Sequence, residues 1–256
     1  MILKRLKGKE VTFRTLDLGG DKQLLYFPLP EEENPLLGLR SIRIFKRHPQ
    51  ILKDQLKALL RVSSKYKCRI MFPMVNNLED FEFCYSILKE AELELKQDGK
   101  AYKIPPLGIM VETPASIFSL SVIAPYISFA SVGTNDLLQY LLAVDRNNLY
   151  DDEAYNIYDV GFIKTLFIIG EECRKNGLEV SICGEIAGNP LLTPILIGAG
   201  FDKLSMTPTS IPLVMQVIQK LDMESVAVIC GRVRSKSKAL DIDAELRVFY
   251  RRLMKS

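Results

Sequence analysis

Several short stretches of the sequence set polar chemistry directly behind apolar runs. Glu112 follows the run 107–111, Asn135 and Asp136 follow 129–132 through Gly133-Thr134, and Cys183 follows 179–182 and precedes Gly184-Glu185. Asp17 and the group Gly19-Gly20-Asp21-Lys22 trail the run 11–16. Two carboxylates such as Glu112 and Asp136 could hold a hard divalent cation. Magnesium takes one or two carboxylates and fills its other positions with water and substrate phosphate oxygens. Arg14, Arg40, Arg61 and Arg146 lie near other run ends and loops. A guanidinium is permanently charged, and its planar fork matches phosphate or carboxylate. A metal ion with a set of arginines points to an anionic, phosphorylated substrate. Cys183 in such a place could serve as nucleophile or proton donor. The one histidine, His48, is distant in sequence, so proton transfer is the better functional reading of this thiol.

Each residue also has a plainer reading. A lone arginine is most often half of a surface ion pair, so only the set argues for phosphate. Asn135 and Asp136 suit a helix cap. A cysteine behind an apolar strand is by default a buried structural residue. Capping does not account for Glu112 between an apolar run and Thr113-Pro114, nor for Cys183 before Gly184. No G-x-x-x-x-G-K-[ST] occurs, and residues 198–201 do not continue into G-x-G-x-x-G, so the common nucleotide loops are missing. His48 precedes Pro49 in a polar stretch, which suits a surface loop or helix end.

The elements that must position these groups are short apolar strands alternating with longer amphipathic helices. Strands are expected at 11–16, 69–72, 107–111, 129–132, 179–182 and 203–206. They are apolar on both faces, as strands of a covered parallel sheet read. Helices are expected at 51–62, 78–95, 135–142, 161–176, 190–199 and 239–254. The last is Arg-rich, which suits a surface or interface. Residues 26–34 and 147–156 read as long loops. Alternation of strand and helix implies βα units. In such folds the C-terminal ends of the strands form the active face, and four loaded strand ends argue for one shared site.

Composition narrows the class. The chain has 256 residues, 48% hydrophobic and 25% charged, which is ordinary for a globular protein and disfavours disorder. A net charge of +3, from 34 basic and 31 acidic residues, gives no reason to expect a nucleic-acid partner. No apolar run approaches the roughly 18 residues of a membrane span, and the basic N-terminal stretch lacks the apolar core of a signal peptide. Five cysteines at wide spacings without a C-x-x-C pair suggest neither a zinc site nor a disulfide framework. The expectation is a soluble cytoplasmic protein with reduced thiols.

Seven motifs carry a resemblance: RTLDLGGDK at 14–22, ENPLLGLR at 33–40, IMFPM at 70–74, GIMVETP at 108–114, GTNDL at 133–137, AVDR at 143–146 and CGEIAG at 183–188. In order and spacing, over about residues 11–220, they resemble the C-terminal phosphoenolpyruvate-binding domain of Enzyme I. That enzyme is the phosphoenolpyruvate–protein phosphotransferase of the bacterial phosphotransferase system. The resemblance implies a TIM-type (β/α)8 barrel, here with about six of eight βα units, as one domain over 1–256. It implies a Mg²⁺ ion on the residues matching Glu112 and Asp136. It implies phosphoenolpyruvate held by those matching Arg14, Arg40, Asn135, Asp136 and Arg146, with Arg61 matching a further arginine of that site. The residue matching Cys183 protonates the enolpyruvate carbon.

The departures carry expectations of their own. The family's phospho-accepting histidine and its carrier-docking half have no counterpart here, and His48 does not match the accepting position. The first two barrel units are also missing. The chain would therefore serve phosphoryl transfer to a histidine on another domain or chain, with a phosphocarrier protein next in line and a homodimer as the assembly. The alternative is a non-catalytic remnant that acts as a dimerisation or phosphoenolpyruvate-binding module. Some stretches, such as Val180-Ser181, also resemble the nitrogen-related paralogue. Pyruvate phosphate dikinase and phosphoenolpyruvate synthase share the barrel, but the 14–22 motif fits Enzyme I better.

Overall fold

The computed structural model describes residues 2–6, 8–19, 27, 29–146 and 154–255. Gly20, Asp21 and Lys22 of the first loop lie outside the described residues, as do parts of the loops expected at 26–34 and 147–156. Among the described residues there are six strands: β1 (Val11–Arg14), β2 (Cys68–Phe72), β3 (Leu107–Val111), β4 (Phe129–Gly133), β5 (Glu179–Cys183) and β6 (Lys203–Ser205). They follow one another in a single sheet in the order β1 to β6, with at least one helix between each pair. That succession is six βα units of an incomplete (β/α)8 barrel. The strands fall within one or two residues of the expected ends. By contact, the chain divides into two compact units: Met1–Val111 with Pro125–Phe129, and Glu112–Ala124 with Ala130–Ser256.

The first unit holds α1 (Ile2–Arg5), α2 (Ile42–Arg47), α3 (Pro49–Ser63) and α4 (Leu78–Gln97) with β1, β2 and β3. β1 pairs with β2 in parallel, Val11 opposite Cys68 and Arg14 opposite Met71, and β2 pairs with β3 in parallel from Ile70 opposite Leu107. Every residue of β2 and β3 is buried, as both-face apolarity requires. β1 differs, with its residues alternately half-buried and exposed, because it ends the sheet order. On α3, Leu52, Leu56, Leu59 and Leu60 form the buried face, and Lys53 and Lys57 reach Glu90 and Glu94 of α4. Asn77 caps α4 by accepting from Asp80 N at 2.9 Å. His48 lies where α2 ends and α3 begins, exposed, its ring edge-on to Phe27 at 5.2 Å. The helix-end placement expected from the sequence holds. α2 was not expected, because six residues are too few to show a period.

The second unit holds α5 (Pro114–Ile123), α6 (Thr134–Leu142), α7 (Val160–Lys175), α8 (Thr193–Ala199), α9 (Ile211–Lys220), α10 (Met223–Arg234) and α11 (Ala239–Lys255). β5 pairs with β6 in parallel, Cys183 opposite Ser205. Thr113 caps α5 and Asp159 caps α7, its side chain accepting from Phe162 N at 2.9 Å. α5 escapes a periodicity search because PASIFSLSVI has no charged face. α8 starts three residues later than expected, since residues 190–192 form a turn. It ends at Gly200, whose φ of 96° suits the left-handed cap. No helix among the described residues is long and apolar enough to cross a membrane.

Gly170 in α7 is the tightest crossing in this unit, since a Cβ there would collide with the carbonyl oxygen of Ala199. That oxygen is backbone and has little room to yield. Gly170→Ala is expected to destabilise the chain by about 1–3 kcal/mol, read as a lower midpoint in thermal or urea unfolding.

Candidate functional site

In the first unit the chain leaves β1 at Arg14 and turns through residues 15–19. This turn is tied to residues 39–41: Ser41 N donates to Leu18 O at 2.8 Å, and Gly19 bridges Arg40. Gly19 has φ 93°, and a Cβ there would meet the backbone of Leu39 and Arg40, so only glycine allows the approach. Beneath the turn lies a buried ion pair. Arg40, with 0% of its surface exposed, donates from Nε to Asp17 Oδ1 at 3.1 Å and from Nη2 to Asp17 Oδ2 at 3.0 Å. Arg14 Nη1 lies 3.5 Å from Asp17 Oδ2 and 3.8 Å from the Met110 sulfur, with 38% of its side chain still exposed. Asp17 thus gathers two of the expected arginines. Arg40 is held edge-on by a carboxylate, and Arg14 keeps solvent-facing surface with which to meet an anion.

Arg61 does not join them, which corrects the expectation for that residue. It lies in the last turn of α3, and five residues after that helix the chain enters β2 at Cys68. Parallel pairing of β1 with β2 sets Arg14 beside Met71 at the other end of the strands. A helix that returns the chain to the start of the next strand must end at the N-terminal end of the sheet. Helix periodicity places Arg61 on the exposed side of α3 but carries no information about which end of the sheet it reaches.

In the second unit, the ends of β4 and β5 are joined. Thr134 Oγ1 donates to Cys183 O at 2.7 Å, and Glu185 N donates to Asn135 Oδ1 at 3.3 Å. Asn135 is therefore not a cap: Gly133 occupies the N-cap of α6, and no side chain caps it. Gly184 has φ 101°, and a Cβ there would crowd Thr134 Oγ1 and Asn135 Oδ1, so glycine is what lets the two strand ends meet. Asp136 is buried, and Arg146 Nη1 donates to its Oδ1 at 3.3 Å, while Arg146 N donates to Gln139 Oε1 at 3.2 Å. Tyr155 OH donates to Asn135 O at 3.2 Å. Burial pushes its phenol up from the ordinary value, opposed by the Arg146 charge, so it remains a neutral donor at neutral pH.

Four cysteines, 68, 84, 173 and 230, are buried, and Cys183 is the partly exposed one. Burial pushes the Cys173 thiol up to about 12 and Cys230 up to about 11, as inert structural thiols require. Cys183 Sγ donates to Val132 O at 3.3 Å. Glu112 follows β3 immediately and is 1% exposed. Glu112 and Asp136 are buried hard-oxygen donors in the same unit. No group of three or more His, Cys, Asp or Glu able to hold a metal occurs among the described residues. Two carboxylates nevertheless fit magnesium, which prefers to complete its shell with water and substrate oxygens.

A family profile described as "PEP-utilising enzyme, PEP-binding domain" matches residues 1–223. The chain belongs to this family. A Salmonella typhimurium protein named "Phosphoenolpyruvate-dependent phosphotransferase system" is 38% identical over 98% of this chain and 34% of its own length. The Bacillus subtilis "Phosphoenolpyruvate-protein phosphotransferase" is 38% identical over 95% of this chain and 43% of its own. The "Multiphosphoryl transfer protein 1" of Escherichia coli K12 is 37% identical over 97% of this chain and 30% of its own. The chain thus spans roughly a third of the length of these relatives.

Sequence reading of this PEP-binding-family chain noted Asp17 among polar groups behind the first strand but gave it no role. Its signal was the spacing from Arg14, three residues earlier. Thr134, Gln139 and Tyr155 were missed, since neutral hydrogen-bonding residues carry no distinctive pattern. Asp17→Ala would leave Arg40 buried beside no carboxylate at this position. The expected cost is about 3–5 kcal/mol, measured by denaturant unfolding. Asp17→Glu should recover part of that loss.

Proposed function

We propose that this chain is the phosphoenolpyruvate-binding part of a phosphoenolpyruvate–protein phosphotransferase. In this reading it supports phosphoryl transfer to a histidine on another domain or chain, which then serves a phosphocarrier protein. The single observation that carries the reading is the family match over residues 1–223. Cys183, partly exposed at a strand end whose backbone is bonded to Thr134, supports it.

Roles follow from the chemistry of each group. Phosphoenolpyruvate is a phosphate and a carboxylate on one enol, so it needs cationic forks. Arg14 supplies an exposed guanidinium, and Arg40 fixes the Asp17 carboxylate that restrains Arg14. Arg146 supplies a second fork and Asn135 an amide. Glu112 and Asp136 would hold Mg²⁺, which when bound neutralises phosphate charge. In the transfer the bridging P–O bond breaks, the phosphoryl group passes to the histidine nitrogen, and the enolate of pyruvate remains. Cys183 gives its S–H proton to the terminal carbon of that enolate, and solvent reprotonates the thiolate. The thiol is oriented by its hydrogen bond to the carbonyl of Val132. A homodimer, a role in sugar uptake and a cytoplasmic location belong to the same reading.

Thermal unfolding with phosphoenolpyruvate and Mg²⁺ tests it. A ligand that binds only the folded chain raises the midpoint, by the equivalent of about 2.7 kcal/mol at a hundredfold excess over Kd. Glu112→Gln should abolish the Mg²⁺-dependent part of the rise. No rise with either ligand would favour the non-catalytic remnant. Cys183→Ala should keep the ligand-induced rise while pyruvate formation, reconstituted with a histidine-bearing domain and carrier, falls by about 10²–10⁴-fold. Unchanged turnover would remove the proton-donor role.

A further inference from the structure

The residue that sequence reading misplaced lies in a feature with no part in the proposed reaction. Arg61, Lys65 and Lys100 line a cavity of about 420 Å³ together with Tyr66 and the apolar side chains of Ala58 and Val62. A second cavity of about 370 Å³ adjoins it, shares Ser64, Lys65 and Tyr66, and adds Lys67 and Lys103. Nearby backbone contacts tie the surrounding chain together: Lys103 N donates to Leu60 O at 3.1 Å, and Ile70 N to Pro106 O at 3.0 Å. All of this belongs to the first unit, at the N-terminal end of β2, opposite Arg14.

The charge pattern is what sets this place apart. Elsewhere in the same unit several lysines are paired: Lys46 with Asp80, Lys53 with Glu90 and Glu94, and Lys57 with Glu94. Among the described residues, none of Arg61, Lys65, Lys67, Lys100 and Lys103 has an ion-pair partner. The one carboxylate lining either cavity, Glu10, is engaged by Arg69 at 3.3 Å. Arg61 and Lys65 also offset the C-terminal end of α3, where cations are favoured. Lys67, Lys100 and Lys103 lie beyond that helix, so its dipole does not account for the cluster. Three cations line the first cavity, with Lys67 and Lys103 on the adjoining one, and these like charges repel each other until an anion enters.

We propose that this concavity is a second anion site that takes a phosphate monoester. The phosphate would lie among Arg61, Lys65 and Lys100, with the organic body against Tyr66 and its apolar neighbours. The volume falls in the range of small-molecule sites, roughly 300–1,000 Å³. It exceeds what inorganic phosphate alone would fill.

Calorimetric titration of the whole chain tests this in the absence of phosphoenolpyruvate, itself a phosphate monoester that would compete for the second site, and comparison with a variant altered only at the second site separates the two. The probes are adenosine monophosphate, ribose 5-phosphate and inorganic phosphate. The expected result is that at least one monoester binds more tightly than inorganic phosphate. Its affinity should fall by about tenfold or more in Lys65→Gln/Lys100→Gln, since two charge-assisted contacts are lost, and should weaken with added salt. Both substitutions are at exposed positions, and unchanged unfolding of the apo variant establishes its fold. Equal binding by the chain and the variant, no binding of any monoester, or binding of inorganic phosphate alone would each overturn the proposal. The Mg²⁺-dependent part of the rise with phosphoenolpyruvate should be the same in the variant, so failure here is separable from failure of the first reading.

Discussion

A guanidinium can be removed from water only against a carboxylate that matches its fork, and the Arg40–Asp17 pair is that arrangement. The turn after β1 depends on it. Ser41 N binds Leu18 O above the pair, Gly19 closes against Leu39 and Arg40, and Leu18, Leu39 and Ile44 pack as one small core. The pair also decides the division of labour between two arginines. Arg40 is buried against Asp17, while Arg14, 3.5 Å from the same carboxylate, keeps exposed surface. Desolvating such a pair brings little net stability, but it allows one geometry. Fixed geometry is what an anion site needs.

The second unit reaches a comparable rigidity by neutral contacts. After β5 the hydroxyl of Thr134 donates to Cys183 O, and the amide oxygen of Asn135 accepts from Glu185 N. Gly184 makes that approach sterically feasible. Cys183 is held by its own backbone carbonyl, and its thiol donates to the carbonyl of Val132. A thiol poised in this way is suited to give up a proton, and a thiol buried like Cys173 is not.

Much of this was legible in the sequence, and the reasons are specific. β2, β3 and β4 read clearly because strands covered on both faces are short unbroken apolar runs. α3 and α4 read clearly because each has one buried stripe. α2 and α5 did not, the first for its length and the second for its lack of a polar face. The seven motifs identified the family because residues at strand ends are constrained in type and in spacing at once. Asn135 was legible as important but not for the right reason, since a cap and a cross-strand acceptor are the same residue type in one dimension.

The sequence by itself determined the βα alternation, the residues that carry charge or a thiol, and the family. These depend on local periodicity and on residue identity, which are properties of a string. Tertiary structure alone decided which arginine is neutralised, which is offered, and that Arg61 lies at the opposite end of the strands from Arg14. Those outcomes depend on where a helix returns the chain and on which carboxylate meets which guanidinium, and partners such as Asp17 and Arg40, twenty-three residues apart, meet only when the chain has folded.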